Sequence, residues 1–373
     1  MMSSCSRHAF LQRVPRMIRT SSLPQAISKN ISSPPSWMLA LPMMAAVLFS
    51  ITIPPPTTSM DSQKQANNNV QNQLRTKSFP LVQHNHGKEK VRVLKVNRSD
   101  NKHIIYEYTV STKIFFDGYS KVFTEHDNSD LVATDTQRNI VYVVAKRTKA
   151  NSPEQFAMDI CTHILQHYPM LQAVEVHADQ VLWDRAMEGE HPHAFLKNSP
   201  ETASAKVRLE RGGQKPQVTS SIKKMTVLKT TMSGFEDYLM DEYTLLPPTQ
   251  ERCLATELEA TWSYTYDTRD FNVIRNKIRN LLILGLFGPP DQGVYSVSLQ
   301  ATVYDAACLV LKKCSQVDSI AISTPNKHYI PFHQLSRLGE VFEDDVFVPT
   351  DEPSGTIYCK VARNVEEAKK DTV

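Results

Sequence analysis

The sequence predicts an α+β protein, in which an antiparallel sheet backed by helices is built twice over. Three observations predict it. Long segments alternate with the period of a strand and are rich in β-branched and aromatic residues; helix-period segments accompany them; and the same order returns in the second half, where CLATE (Cys253–Glu257) echoes LVATD (Leu131–Asp135). Each member of the echo reads as the start of a strand, with a helix and another strand downstream. Helices on one face of an antiparallel sheet are a stable layered solution for such an order.

In the first half, VRVLKV (Val91–Val96) alternates, Arg98–Lys102 reads as a polar turn, and HIIYEYTVSTKIFF (His103–Phe116) completes a hairpin of long strands. An Asp- and Asn-rich turn at His126–Asp130 leads through LVATD and TQRN to IVYVVAK (Ile140–Lys146), whose β-branched residues read as another strand. Ser152 and Pro153 then take the N-cap and first positions of a helix. Gln155 is its capping-box partner, and Phe156, Ile160, Ile164 and Leu165 fall on one face. AVEVHADQVLW (Ala173–Trp183) alternates again. In the second half, MTVLKTTMSGF (Met225–Phe235) and CLATELEATWSYTY (Cys253–Tyr266) read as strands joined by a polar and aromatic connection. Phe271–Leu284 reads as a helix, although the Ile and Leu at its end leave a strand open. After the loop Gly285–Gly293, Val303, Ala307, Val310 and Leu311 recur at helical spacing, and SIAISTP (Ser319–Pro325) closes as a strand.

Composition narrows function mainly by exclusion. With 373 residues and 41% hydrophobic side chains the chain can bury one large core or two ordinary ones, which excludes whole-chain disorder. A net charge of +3 gives no electrostatic footprint for nucleic acid, so no nucleic-acid partner is expected. The six cysteines form no C-x-x-C pair and read as free thiols of a reducing compartment. The 11 glycines form neither G-x-G-x-x-G nor a P-loop, which removes the common routes to nicotinamide, flavin and nucleotide triphosphate chemistry. His84 and His86, like His191 and His193, are H-x-H pairs with no third ligand at suitable spacing. Both pairs read as surface turns, and no metal site is expected. His328, just after Pro325 and Asn326, is the more distinctive histidine. Function has to come from polar residues at loop and strand ends.

Residues 1–80 read as an extension. The first 60 carry five basic residues and no Asp or Glu, the composition of an organelle transit peptide. The apolar run 37–53 is 17 residues long and interrupted by Pro42, at the short limit for a membrane span, so membrane contact is expected only if that run is retained. The expected organisation is an extension (1–80), a first module (81–218), a second module (219–363) and a tail (364–373).

Several separated blocks then match one family. VLKTTMSGFEDYLMDEYTLLPPTQER (Val227–Arg252) resembles the signature of the uricases, or urate oxidases. DNSDLVATDTQRNIVYVVAK (Asp127–Lys146), HGKEKVRVLKV (His86–Val96), SVSLQATVYD (Ser296–Asp305) and STPNKHY (Ser323–Tyr329) resemble its other blocks, in order. The resemblance implies the tunnelling fold (T-fold): two tandem antiparallel modules with helices on one face, assembled as a homotetramer whose sheets form a β-barrel tunnel. It also implies oxidation of urate by O2 and water to 5-hydroxyisourate and H2O2 with no cofactor, at sites shared between subunits. Lys88, Thr134 and His328 match the catalytic relay. Lys88 and Thr134 would take a proton from urate and His328 would act through an ordered water. Arg252 and Gln300 would clamp one edge of the purine and Phe235 would stack on its face. Asn326 and Thr134 would hold O2 or water over the ring, with Asp135 and the main chain at Leu299 completing the pocket. Leu299 stands where the family often has Val.

These residue types suit the chemistry. A guanidinium fork and a primary amide can each make paired hydrogen bonds to a planar, oxygen-rich anion, and a phenyl ring suits its flat face. A partly desolvated lysine beside a hydroxyl is a reasonable base. A pterin-type T-fold activity and a catalytically silent tetrameric binder are the rival readings. The family is also expected in the peroxisome, although the terminal KKDTV is not a Ser-Lys-Leu-like address, and the Arg-rich start suggests mitochondrial import as the alternative.

Overall fold

The computed structural model describes residues 79–98, 101–197, 199–213, 215–265 and 270–363. The apolar run 37–53 and the C-terminal tail lie outside them. Among the described residues, no helix is long and apolar enough to cross a membrane.

Alternation in the first half produces a hairpin of β1 (His86–Asn97) and β2 (Ile104–Phe115). A short helix α1 (Ser120–Thr124), then α2 (Thr134–Arg147) and α3 (Pro153–His167) lead to β3 (Ala173–Val181), a small ribbon of β4 (Asp184–Arg185) and β5 (Phe195–Leu196), and β6 (Thr202–Glu210). The second half runs β7 (Gln217–Lys229), β8 (Leu254–Tyr264), α4 (Phe271–Phe287), α5 (Leu299–Lys313), β9 (Val317–Pro331), β10 (Phe347–Thr350) and β11 (Thr356–Ala362). All but the small ribbon join one antiparallel sheet in the order β1-β2-β3-β6-β7-β8-β9, with β10 and β11 both paired to β9. Hairpin, two long helices and two further long strands is therefore the plan of both halves, the short α1, β4, β5 and β10 aside.

Opposed residues in an antiparallel ladder share a face. Val176 opposes Val207, which opposes Val218; Ala260 opposes both Ile222 and Ile322. This apolar face carries the helices in two core clusters, one centred on Phe156, Ile160 and Ile164 of α3, the other on Ile278 and Leu282 of α4 with Val303 and Val310 of α5. Ser152 caps α3 through its hydroxyl, which accepts from the Gln155 N–H at 3.3 Å, while the Gln155 amide oxygen accepts from Asn151 N–H rather than from the cap residue itself. The opposite face is polar, with pairs such as Ser221 and Thr261 bonded at 2.8 Å. There Asp179 accepts from Ser204 Oγ at 2.5 Å and from Lys223 Nζ at 3.1 Å. Burial works to raise the Asp179 carboxyl, but the His177 and Ser204 hydrogen bonds and the Lys223 charge outweigh it and hold the group well below the usual carboxylate range.

Two details repeat between the halves. β1 carries a one-residue bulge with Lys90 at φ 56°, and β7 carries one with Lys224 at φ 61°. Arg211, just after β6, donates to the carbonyls of Leu165, Tyr168 and Leu171 at the end of α3; Arg363, just after β11, donates to those of Leu311, Cys314 and Val317 at the end of α5. Each arginine supplies donors to carbonyls at and just beyond a helix end, where the intrahelical partners run out.

Three expectations need correction. IVYVVAK is the body of helix α2, because Gln137, Ile140, Val141, Val144 and Ala145 bury one helical stripe while Tyr142 and Val143 stay exposed. Packing overrides the β-propensity of its residues. LVATD accordingly opens a helix and CLATE a strand, so that echo is not the structural repeat. β7 begins earlier than expected and ends at Lys229, leaving Thr230–Phe235 to a loop, and β6 had no counterpart in the sequence reading.

Replacing Ser152 with Ala should cost about 1 kcal/mol in urea unfolding. Asp179→Asn should lower stability at neutral pH. A depressed carboxyl contributes above its ordinary pKa of about 4 and loses that contribution as pH falls through its folded value, so the gap between variant and parent should close in acid.

Candidate active site

The loop after β7 and the ends of β8, β9 and β10 enclose a cavity of about 470 Å³, whose wall includes Arg252, Leu299, Asn326 and His328. Arg252 ends the loop that feeds β8. Asn326 opposes Thr256 across the β8–β9 ladder and its N–H donates to Gly355 O at 2.8 Å, while His328 opposes Thr350 of β10. Leu299 opens α5, capped by Ser298, whose hydroxyl accepts from Ala301 N–H at 3.1 Å. Phe235 is held by two backbone bonds with Thr249, at 2.7 and 3.0 Å. Its ring lies 4.6 Å from that of Tyr238, nearly parallel, and the Arg252 guanidinium sits 5.1 Å from its centroid. Lys229 ties the neighbouring loop down, its Nζ donating to Val294 O and Ser296 Oγ, each at 2.8 Å; burial lowers its pKa.

The electrostatics of this wall are unusual for a finished protein surface. Burial lowers the Arg252 pKa, with Tyr295 opposing; among the described residues its buried Nε has no hydrogen-bond partner and its guanidinium makes no salt bridge. Asn326 Oδ1 is likewise buried and unsatisfied. A buried donor and a buried acceptor left unmatched in one cavity wall are costly unless a ligand or water completes them. The arrangement suits a flat molecule with hydrogen-bonding edges and negative charge.

A second group lies in the first half. Lys88 opposes Thr112 in the β1–β2 ladder, and the bulge before Val91 puts it there; counted back from Val91 in an unbulged ladder, Glu89 would take that place. Gly87 lies so close to β2 that a Cβ would collide with the Thr112 carbonyl oxygen. Thr134 is the first residue of α2. Asp135, with its side chain 63% exposed, pairs with Arg138 at 2.6 Å and accepts from Asn139 Nδ2 at 2.9 Å. Neither Lys88, Thr134 nor Asp135 lines the cavity, and Gln300, exposed on the first turn of α5, does not line it either. One chain thus gathers Arg252, Leu299, Asn326 and His328, with Phe235 alongside, and holds Lys88, Thr134 and Asp135 apart. Cys253, Lys327 and Tyr329 also line the cavity without having been singled out, because it runs along the edge of β9 and takes both alternating sets.

The H-x-H pairs divide. His191 Nδ1 accepts from the N–H groups of His193 and Ala194 in a turn, as expected. His84 and His86 are instead half-buried at the start of β1, against Phe123 and Tyr119. Among the described residues, no group of three or more His, Cys, Asp or Glu is placed to hold a metal ion. The described cysteines are free thiols.

Comparison with known proteins agrees across sequence and structure. The family model described as Uricase matches residues 84–208 and 218–358. The chain is 35% identical over 288 residues to a uricase of Oryctolagus cuniculus, covering 76% of this chain and 95% of that one. It is 38% identical over 294 residues to a uricase of Arabidopsis thaliana, covering 74% and 94%. Among solved structures, the uricase from Arthrobacter globiformis superposes with a TM-score of 0.71 at 30% identity, covering 77% of this chain and 96% of that chain.

Gly234 precedes Phe235 where an added Cβ would strike the Tyr295 hydroxyl, which donates to Gln250 O at 2.8 Å. Gly234→Ala should therefore displace Phe235 and lower affinity for a planar ligand, measurable by ligand titration, with little change in far-ultraviolet circular dichroism.

Proposed function

This chain belongs to the uricase family, and we propose that it works through the two residue groups described above. It is a T-fold oxidoreductase that converts urate, O2 and water to 5-hydroxyisourate and H2O2. The observation that carries the site assignment is the desolvated Arg252 guanidinium, with no acceptor for its Nε among the described residues, beside the ring of Phe235. Urate is a planar anion at neutral pH, and such a guanidinium meets its edge with charge-assisted bonds. Gln300 holds the same edge, Phe235 stacks on the face, and the Leu299 main chain and Asp135 complete the pocket.

Lys88 and Thr134 remove a proton from bound urate, and His328 acts with them through an ordered water. Two electrons then pass from the urate dianion to O2, which takes up two protons to leave as H2O2. Water adds to the oxidised ring, giving up one proton and leaving its hydroxyl on the product. Asn326 and Thr134 hold first O2 and then this water over the ring. No metal or organic cofactor enters the scheme.

The site is completed between subunits of a homotetramer, whose sheets close into a barrel around a tunnel. In support, Lys88, Thr134 and Asp135 stand apart from the cavity wall of their own chain. β1 and β11 each leave one edge without a ladder partner among the described residues, and the loop beside the cavity exposes Leu239, Tyr243 and Leu245 at 84% or more. The modules of this reading are residues 81–218 and 219–363. For the compartment we propose the peroxisome, which the family resemblance implies; a fluorescently tagged full chain that failed to colocalise with peroxisomes would refute it.

Metal-stripped protein should consume urate, followed by the loss of its ultraviolet absorbance, with H2O2 formed in equal amount. Lys88→Met should abolish that turnover, and full turnover in this variant would remove the relay assignment. Arg252→Ala should raise KM by an amount equivalent to about 2 to 4 kcal/mol, because a buried anion loses its fork; an unchanged KM would refute the clamp.

A further inference from the structure

We propose that the buried hydrogen bond between Thr112 and Gln137 is the positioning device of the proton relay, fixing the strand that carries Lys88 against the helix end that carries Thr134. The inference rests on the relay reading given above. Thr112 Oγ1 donates to Gln137 Oε1 at 2.8 Å, and both residues are fully buried. Thr112 is the direct opposite of Lys88 in the β1–β2 ladder, on the face that carries the helices. Opposed residues have Cβ atoms about 5 Å apart, so whatever fixes Thr112 fixes the base of the Lys88 side chain.

The other arm of Gln137 reaches the entry of α2. Its Nε2 donates to Val132 O at 3.4 Å, and the Val132 N–H donates to the hydroxyl of buried Tyr119 at 3.3 Å. Both backbone polar groups of Val132, two residues before Thr134, are therefore held by side chains from the core. The Gln137 N–H closes the first helical turn on Ala133 O at 3.1 Å.

This bracing replaces something the helix lacks. α3 and α5 are capped by Ser152 and Ser298, whereas the N-cap of α2 is Ala133, which has no side-chain acceptor. The start of α2 is instead fixed from inside by Gln137 and Tyr119. A leucine at position 137 would fill the stripe with Ile140, Val141 and Val144 and need no partner. An amide there adds directional bonds, which set a separation between two elements more sharply than apolar packing does.

The test is steady-state urate kinetics on the full chain with Thr112→Val, Gln137→Leu, their combination and Thr112→Ser, with thermal unfolding as the folding control. kcat should fall roughly tenfold to a hundredfold in each single variant, as expected when reacting groups lose their alignment. KM should stay within about twofold, since the urate clamp lies in the other half of the chain. The double variant should fall no further than the worse single, because both singles remove the Thr112–Gln137 bond and Gln137→Leu already removes the bond to Val132 as well. Thr112→Ser, which keeps the hydroxyl, should recover most of kcat. Gln137→Met, close in volume, carries the test if the leucine variant does not fold.

A lowered unfolding temperature with unchanged kcat would overturn the proposal, as would a rise in KM with kcat intact. Lys88→Met measured alongside separates the two levels. Its inactivity beside a fully active Thr112→Val would remove the positioning role alone. Its activity would remove the relay reading, and this inference with it.

Discussion

Cross-strand registry is the constraint on which this fold depends. Because opposed residues share a face, the alternation of β2 has to agree with that of β3, then β6, and so on to β9, or the apolar surface under the helices would break. It does agree, including at the seam where Val207 of β6 meets Val218 of β7. The bulges of β1 and β7, like the register shift between Trp262 and Tyr264 in the β8–β9 ladder, are places where the count is altered. At the first, one inserted residue exchanges which side chain opposes Thr112, and so brings Lys88 to the helix side of the sheet.

The cavity of the second half rests on a different tension. Arg252 is drawn into a partly dry wall beside an aromatic ring, without, among the described residues, the carboxylate that a buried cation commonly has. Around it the chain is held firmly: Phe235 by its two bonds to Thr249, the adjoining loop by Lys229, and the head of α5 by Ser298. A rigid frame around unsatisfied groups is how a protein prepares for a ligand that supplies the missing partners.

What could be read from the sequence follows from how local each signal is. β1, β2 and β3 announce themselves by alternation, and α3 by its Ser-Pro start and capping residue, because these signals lie within a few positions. α2 does not. A buried Gln137 breaks the apolar stripe at its first turn, and Ile140, Val141, Val143 and Val144 then look like a strand. Arg211 and Arg363 carried no signal, since a single arginine after a strand says nothing about carbonyls 40 or more residues away. Arg252 and Phe235 stood out only through a family resemblance, and spacing alone gave no hint that Lys88 and His328, in separate modules, serve one reaction.

The repeated frame, with its matching bulges and helix-end arginines, has been loaded unequally. The first half keeps the lysine and the hydroxyl, the second the guanidinium and the aromatic ring. The repeated plan thus carries a division of labour. Under the proposed roles, inherited variation around Lys88 and Thr134 acts chiefly on the rate of the bound complex, and variation around Arg252 and Phe235 on how readily that complex forms. The two properties can therefore drift and be selected separately, although a single gene encodes both.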